Sequence, residues 1–283
     1  MNERKIEFDN QESFTQQKLM RLKRTASLVG LLGVRQAGPL LAKRIIDSDS
    51  KSVTKLSVKG LNHPFYSTAA HGDIAMLNEL AGRGKYDLPK HNKIIDGSLI
   101  VDIGANIGVS AALFASRYRR SEILLVEPNP RNLELLAINT EKYGRRITTI
   151  DKALSLNSER VGLLNNEVSS IGNHASYFYK GEARSHELSA ESITPEELIN
   201  NVEGYIFSDE RVGLLKINIE GAEKELLESG RLDSLLKLSN VVIVEAHDHF
   251  VKGASSAVLA AAERSGLAQF DKRGTFFFLE NLQ

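Results

Sequence analysis

The strongest chemical signal in this chain is a glycine-bearing turn followed at a fixed distance by an acid. Gly104 and Gly108 frame the turn with Asn106 between them, and Glu127 ends the next apolar run, 19 residues after Gly108. Glycine lets a backbone approach a ligand closely. An acid at the tip of the neighbouring strand can accept hydrogen bonds from ribose hydroxyls. The pattern predicts a site for a nucleoside-bearing cofactor.

The glycine spacing disfavours a dinucleotide. A dinucleotide fingerprint has glycines at relative positions one, three and six, whereas here they fall at positions one and five. This spacing suits a ligand without a diphosphate, such as S-adenosylmethionine, with residues 107–110 facing its carboxylate. Glu127 is then expected to accept from both ribose hydroxyls. A nicotinamide oxidoreductase is the alternative.

Two other acids stand at the ends of apolar runs. Asp102 lies just inside the turn, where it is expected either to orient the turn's amides or simply to cap the turn. Asp151 follows the third run, where a carboxylate can accept from an adenine amino group or stand as a solvated strand end. Because ligands of open α/β sheets bind at the carboxyl ends of the strands, both are candidate cofactor ligands.

Two later runs end in alternating polar residues. Lys216, Asn218 and Glu220 fall on one face if their strand continues that far. A buried lysine needs a partner, for which Glu220 is a candidate, so a structural ion pair is one interpretation. Glu245 and His247 share a face of the next strand, and a histidine beside carboxylates can act as a base or be purely structural.

The elements that must position these residues alternate between strand and helix. Residues 61–98 are expected to form a cap, and residues 155–211 a hairpin followed by a helix. The predicted strands are 99–103, 122–126, 146–150, 212–217 and 240–244, and the predicted helices are 107–118, 131–143, 194–200, 222–229 and 254–265. A closing hairpin is expected at 267–271 and 275–279. This order predicts an α/β, Rossmann-like fold: a mostly parallel sheet, helices on both faces and a C-terminal antiparallel hairpin. Glu223, Glu225 and Glu228 are expected on a solvated helix face.

The bulk composition narrows the partners. Formal net charge is zero, so nucleic acid is not an expected partner. The chain has no cysteine, which excludes disulfides and thiolate metal sites. The polar residues 1–17 do not resemble a secretory signal, and a cytoplasmic protein is expected. Residues 1–60 carry twelve Lys/Arg against six Asp/Glu, and a helix there is expected to pack on the main domain, contact a second subunit or lie on a membrane surface.

Four segments together resemble the FkbM family of S-adenosylmethionine-dependent methyltransferases. They are VDIGANIG (101–108), VEPNPRNLELLAIN (126–139), LLKINIEGAEKELLESG (214–230) and IVEAH (243–247). The upstream segment 63–80 also resembles the one that precedes the fold in that family. The resemblance implies a methyltransferase domain over residues 58–283 behind an N-terminal helical extension, residues 1–57.

The resemblance also assigns roles. It implies that Gly104, Asn106, Gly108 and Glu127 bind cofactor and that residues 216–220 line the junction of cofactor and acceptor. It implies O-methyl transfer to a hydroxyl of a small molecule, sugar or glycoconjugate by a protein that could form homo-oligomers.

One departure from the family pattern bears on catalysis. The family's third motif commonly reads Lys-Ile-Asp-hydrophobic-Glu-Gly, and here the third position is Asn218. Asparagine keeps an acceptor oxygen but loses the charge. A catalytically impaired binding or regulatory protein with the same fold is therefore the alternative, although Asn218 can still hydrogen-bond the cofactor. Residues 69–73 also depart from the family form, which suggests a different acceptor.

A hydroxyl is a weak nucleophile, so methyl transfer to it needs a base that accepts the hydroxyl proton. Glu220 and His247 are the first candidates because strand ends hold them rigidly. Asp73 and His71 of the cap are further candidates. A divalent metal bridging Glu220 and Glu245 is weakly supported, and no metal is predicted.

Overall fold

The computed structural model describes residues 25–46, 52–68, 73, 76–77, 85–86, 88, 93–158, 160–165, 176–179, 188–206, 210–249 and 251–282. His71, residues 1–17 and most of residues 69–92 of the expected cap lie outside these ranges.

A seven-stranded sheet forms the centre of the molecule. In all, the described residues form fourteen strands, seven of which belong to this sheet. They are β1 (Thr54–Leu56), β2 (Phe65–Ser67), β3 (Leu99–Ile103), β4 (Ile123–Val126), β5 (Ile147–Ile150), β6 (Ala153–Leu154), β7 (Val161–Asn165), β8 (Ser176–Tyr179), β9 (Leu188–Ala190), β10 (Ser192–Ile193), β11 (Val212–Ile217), β12 (Ser239–Glu245), β13 (Leu267–Arg273) and β14 (Phe276–Asn281). The central order is β13-β14-β12-β11-β3-β4-β5. The five strands from β12 to β5 are parallel to one another. Strand β14 runs antiparallel to β12, and β13 runs antiparallel to β14.

Helices cover both faces of this sheet, as the alternating order predicted. They are α1 (Val34–Ile46), α2 (Val109–Arg117), α3 (Pro130–Thr140), α4 (Pro195–Glu203), α5 (Glu223–Glu228), α6 (Asp233–Leu238) and α7 (Ala254–Arg264), with a 3-10 helix at Glu141–Arg146. Successive strand residues point to opposite faces. Ile100 packs with Phe114 of α2 in one core, and Val101 packs in the other core with Val258 of α7. The Rossmann-like α/β class is confirmed.

Local sequence explains where several of these helices begin. Thr194 forms a capping box, because its side chain accepts from the Glu197 amide while the Glu197 carboxylate accepts from the Thr194 amide. Asn129 caps α3 by accepting from the Arg131 amide, and Pro130 occupies the first turn.

Two regions differ from the expected elements. Between β5 and β11, the described residues form a three-stranded antiparallel sheet, β8-β7-β9, and a short parallel pair, β10-β6, rather than one hairpin. The six-residue helix α6 was not expected, because so short an element carries too few residues for periodicity to identify it.

The N-terminal region shares a core with the sheet. Residues 25–32 are helical, and Leu28, Leu32 and Leu40 are buried in the cluster that contains Ile100. The domain boundary at residue 57 remains a prediction. Within the part of the chain that the structure describes, no helix is long and apolar enough to cross a lipid bilayer.

The strand order creates a crevice at one position. From β3 the chain proceeds through α2 to β4 on one side, while β11 lies against β3 on the other side. Ligands of open α/β sheets bind at the carboxyl ends of the strands where the connections diverge in this way. The β3–β11 junction is therefore where the fold directs a ligand.

Candidate functional site

The glycine turn after β3 fits tightly against the end of β11. Gly104 has φ of 82°, and a Cβ atom there would lie 1.8 Å from the backbone oxygen of Asn218. Gly108 has φ of 90°, and its Cβ would lie 2.8 Å from Cδ1 of Leu136. Packing and backbone conformation thus require glycine at 104, and the positive φ favours glycine at 108; the ligand-approach interpretation of the spacing did not include these reasons.

Gly104→Ala is expected to destabilise the fold because the new methyl group meets a backbone atom that cannot rotate away. Gly266→Ala is the matched control, since Gly266 also has positive φ, 70°, but open space around its Cβ position. Positive φ penalises alanine in both variants, so the steric clash accounts for the difference. Urea unfolding should show Gly104→Ala to be less stable than Gly266→Ala by about 1–3 kcal/mol. Equal stabilities would contradict the close contact.

A buried ion pair supports the turn from below. Nζ of Lys216 lies 2.9 Å from Oδ1 of Asp102 and donates to the Gly104 carbonyl at 2.6 Å. The Ser110 hydroxyl donates to the other Asp102 oxygen at 2.6 Å. Asp102 is fully buried and Lys216 is 2% exposed. The partner of Lys216 is therefore Asp102, its neighbour across the β3–β11 register, and the expected pairing with Glu220 was wrong.

Glu127 is held by the protein's own donors. Its Oε2 accepts from the Asn106 amide at 2.8 Å, and its Oε1 accepts from the Asn129 amide and the Asn132 side chain. Burial raises the pKa of Glu127, while these hydrogen bonds and Lys216 oppose the rise. A carboxylate offers about four lone-pair positions, so the geometry leaves room for about one ribose hydroxyl rather than two.

These strand ends line a pocket that is partly open to solvent. The lining includes Gly104, Asn106, Glu127, Asn132, Asn218 and Glu220. The pocket brings together residues that follow β3, β4 and β11, of which Gly104 and Asn218 are 114 positions apart in the sequence.

Asn218 connects the pocket to the next strand. Its Nδ2 donates to Oε2 of Glu245 at 2.8 Å, and the Thr275 hydroxyl donates to Oε1 of Glu245 at 2.8 Å. Oδ1 of Asn218 and the Tyr86 hydroxyl are both buried, and neither makes a hydrogen bond of good geometry with a described residue. Burial and the Glu245 charge raise the pKa of Tyr86, while its contact with the Asn218 side chain opposes the rise. The amide at position 218 thus has a defined role, which is to donate to Glu245.

Asn218→Asp, the residue common in related motifs, is expected to destabilise this protein. The substitution places two carboxylates in contact, so one must retain a proton, and the pKa of the pair rises in the folded state. A raised carboxyl pKa means that stability falls as pH rises. Unfolding measurements should show a loss of about 1–3 kcal/mol at pH 8 and a smaller loss at pH 5. The double variant Asn218→Asp/Glu245→Gln exchanges donor and acceptor and should recover most of that loss. Equal losses of stability for Asn218→Asp at pH 5 and pH 8 would contradict the repulsion between the two carboxylates.

Glu220 occupies a strained backbone position at the pocket edge. Among the described residues, the non-glycine positions with positive φ are Asn106 (51°) and Glu220 (53°), and both line this pocket. Such conformations cost about 1–2 kcal/mol for a residue like glutamate and concentrate at functional sites. The Glu220 side chain is 21% exposed. Burial, with the Glu245 and Glu223 charges, raises its pKa to about 7 against the opposing charges of His247 and Lys216.

His247 lies between two carboxylates. Its Nδ1 is 2.6 Å from Oε1 of Glu223, and its Nε2 is 3.3 Å from Oε2 of Glu220. Burial alone lowers the pKa of His247, but Glu223, Glu220 and Glu245 outweigh burial and raise it to about 9. The imidazole is therefore cationic at neutral pH.

Sequence comparison identifies the family that has this arrangement. The profile described as "Methyltransferase FkbM domain" matches residues 102–268, more than half of the chain. The chain belongs to the FkbM methyltransferase family. It is accordingly an S-adenosylmethionine-dependent methyltransferase, and the resemblance seen in its motifs is confirmed.

Individual relatives are more distant. "Methyltransferase 1" of Beauveria bassiana (strain ARSEF 2860) is 28% identical over 191 residues, which cover 61% of this chain and 73% of the fungal protein. Aeropyrum pernix fibrillarin, solved with natively bound S-adenosyl-L-methionine, is 14% identical with a TM-score of 0.36, covering 68% of this chain and 69% of fibrillarin. Precorrin-6y C5,15-methyltransferase from Geobacter metallireducens is 17% identical with a TM-score of 0.36, covering 66% and 79% of the two chains. Likeness at this level does not distinguish one acceptor from another.

The remaining candidate residues of this FkbM-family chain lie away from the pocket lining. Asp73 accepts from the amide and the hydroxyl of Thr68, which is the geometry of a local cap. Asp151 is exposed after β5. Asp102 is paired with Lys216 and accepts from Ser110 beneath the turn. Their proposed roles as base, adenine ligand and cofactor ligand remain predictions, and His71 lies outside the described residues.

A potential metal site receives no support from the donor set. Within the described ranges, no group of three or more histidine, aspartate and glutamate side chains is arranged to hold a metal ion. Glu245 is instead hydrogen-bonded to Asn218 and Thr275.

Sequence reasoning missed two important side chains of this FkbM-family site. Glu223 is fully buried rather than solvated. The signal was present, because Glu223 precedes the buried Leu226 and Leu227 by three and four residues and so lies on the same helix face. Asn132, which donates to Glu127, lies within a segment used for the family resemblance but was not singled out.

Proposed function

We propose that this protein transfers the methyl group of S-adenosylmethionine to a hydroxyl oxygen, with Glu220 as the general base. The observation that carries the proposal is the position of Glu220. Its carboxylate is partly exposed in the same pocket as Glu127 and Asn218, on a backbone held at positive φ. A carboxyl group with a pKa of about 7 suits proton acceptance near neutral pH.

The residues around the pocket fit the cofactor's chemistry. Oε2 of Glu127 has room for a ribose hydroxyl, and the unpartnered Oδ1 of Asn218 can accept from the cofactor's ammonium group or from an acceptor hydroxyl. The amides of Ile107 and Gly108 donate within the turn itself. The expected contact of residues 107–110 with the cofactor carboxylate therefore falls on Val109 and Ser110. When bound, S-adenosylmethionine supplies an electrophilic methyl group.

Glu220 would take the proton that leaves the attacking hydroxyl. Its Oε2 is buried beside Nε2 of His247 at 3.3 Å, so the other carboxylate oxygen, Oε1, would accept that proton. The turn at Gly104 and the end of β11 hold the two sides of the pocket in a fixed relation through the Lys216–Asp102 pair. Rigid placement of the two reactants supplies much of the rate in a bimolecular transfer.

The acceptor class follows from the same groups. The side chains of Asn218 and Glu220 line the pocket and carry acceptor oxygens, which favours a ligand rich in hydroxyl donors, such as a sugar, a glycoconjugate or a polar small molecule. Zero net charge supports such an acceptor over nucleic acid.

Turnover separates this proposal from a protein that binds cofactor without using it. The purified protein is incubated with S-adenosylmethionine and a panel of hydroxylated sugars, glycolipids and small metabolites, and S-adenosylhomocysteine release is measured. Release that depends on one acceptor class is the expected result. Tight S-adenosylhomocysteine binding with no release for any acceptor would instead support the catalytically impaired alternative.

A further inference from the structure

We propose that Glu223 is a positioning residue that acts through His247 on Glu220, holding the imidazole so that its Nε2–H faces the Glu220 carboxylate. This inference rests on the proposed function, because it concerns the base of that reaction. Glu223 is not among the residues that line the pocket, so its effect on the reaction would be indirect.

Three hydrogen bonds join the Glu223 carboxylate to residues that frame Glu220. Oε1 of Glu223 accepts from the backbone amide of His247 at 3.0 Å and from Nδ1 of its ring at 2.6 Å. Oε2 of Glu223 receives the amide of Gly221, the residue next to Glu220, at 2.8 Å. One fully buried carboxylate therefore fixes the ring of His247 and the backbone that carries Glu220.

Contact with Glu223 also fixes the direction in which the ring presents its protons. Because Nδ1–H donates to Glu223, the protonated ring holds its second N–H, on Nε2, beside Glu220, with Nε2 at an ion-pair distance of 3.3 Å from Oε2 of Glu220. A carboxylate buried without a partner is unstable in its charged form. The His247 cation is the counter-charge that keeps Glu220 ionised and able to accept a proton.

Other charges around the pair do not reverse this logic. Glu245, at the end of β12, raises the pKa of both His247 and Glu220, and Lys216 lowers the pKa of Glu220. The exposed His249 lies next to His247, with their ring centres 5.7 Å apart. His247 affects the pKa of Glu220 more strongly than Glu223 does. Removing the Glu223 charge lets burial deprotonate His247, and Glu220 then loses its counter-charge.

The pH profile of kcat/KM for Glu223→Gln tests this role. In the wild type the rate should rise as pH rises through about 7, where Glu220 ionises. In Glu223→Gln the midpoint of that rise should move upward by about one pH unit, which is roughly a fivefold loss of rate at pH 7. The rate should return toward the wild-type value at pH 9, while affinity for S-adenosylhomocysteine stays unchanged. A uniform loss at every pH, with an unmoved midpoint, would overturn the proposal and leave Glu223 a structural residue.

Two further variants keep the test decisive. If Glu223→Gln folds poorly because the Gly221 amide loses its acceptor, His247→Gln removes the same counter-charge and keeps Glu223 in place, and it should move the midpoint in the same direction. Glu220→Gln should stay inactive at pH 9. If Glu220→Gln is fully active, the proposed base is wrong. If Glu220→Gln is inactive but neither Glu223→Gln nor His247→Gln moves the midpoint, only the positioning role is wrong.

Discussion

Glu220→Gln is expected to lower kcat for methyl transfer by about 10²–10⁴-fold, the usual contribution of a positioned general base. Glutamine has the same shape as glutamate and keeps the strained backbone at φ 53°, but its amide cannot accept a proton from a hydroxyl. Because Glu220 is not among the residues that fit the ribose, affinity for S-adenosylhomocysteine should remain close to the wild-type value. Steady-state transfer rates and calorimetric titration measure the two quantities separately.

Glu225→Gln is the matched control for this experiment. Glu225 lies on the adjoining helix α5 and is exposed, so the same chemical change there should leave both kcat and cofactor affinity unchanged. A Glu220→Gln enzyme with wild-type kcat would contradict the assignment of the base. Loss of S-adenosylhomocysteine binding in that variant would show instead that Glu220 holds the cofactor.

Lys216→Met is expected to destabilise the fold by about 3–5 kcal/mol, because it leaves a buried carboxylate without its counter-charge. Asp102 is fully buried, and Lys216 is its charged partner at 2.9 Å. The carbonyl of Gly104 loses the donor at 2.6 Å in the same variant. Methionine fills a similar volume, so the loss reports electrostatics rather than a cavity. The free energy of unfolding in urea is the measurement.

A second substitution shows whether the unpaired charge causes that loss. Asp102→Asn combined with Lys216→Met removes both charges and keeps an acceptor for the Ser110 hydroxyl. The double variant should be clearly more stable than Lys216→Met alone, since replacing a whole buried ion pair costs much less than breaking it. Two variants of equal stability would contradict this explanation.

The central sheet could be predicted because its strands are buried on both faces and therefore read as uninterrupted apolar runs. The predicted bounds of 99–103 and 212–217 agree with β3 and β11. The carboxyl-end rule then identified Glu127, Asn218 and Glu220 before any coordinates, and all three line the pocket. Helix starts with a proline and a capping side chain, as at Thr194, were also readable from the sequence.

The pairing of side chains could not be predicted in the same way. Lys216 meets Asp102 because β11 and β3 pair in one particular register, and a shift of one residue would have turned the lysine to the other face. Glu223 is buried although its charge indicated a solvated position, and its helical spacing from Leu226 and Leu227 was the better guide. In both cases a buried charge is tolerated only because a distant strand or helix supplies its partner.

The most direct test of the proposed reaction is the position of the transferred methyl group. S-adenosylmethionine labelled with ¹³C in its methyl group is supplied with the acceptor that supports the highest turnover, and the product is examined by NMR. The account predicts one labelled methyl group on a hydroxyl oxygen of the acceptor, formed by the wild type and not by Glu220→Gln. Label on nitrogen or carbon, or equal transfer by Glu220→Gln, would contradict it.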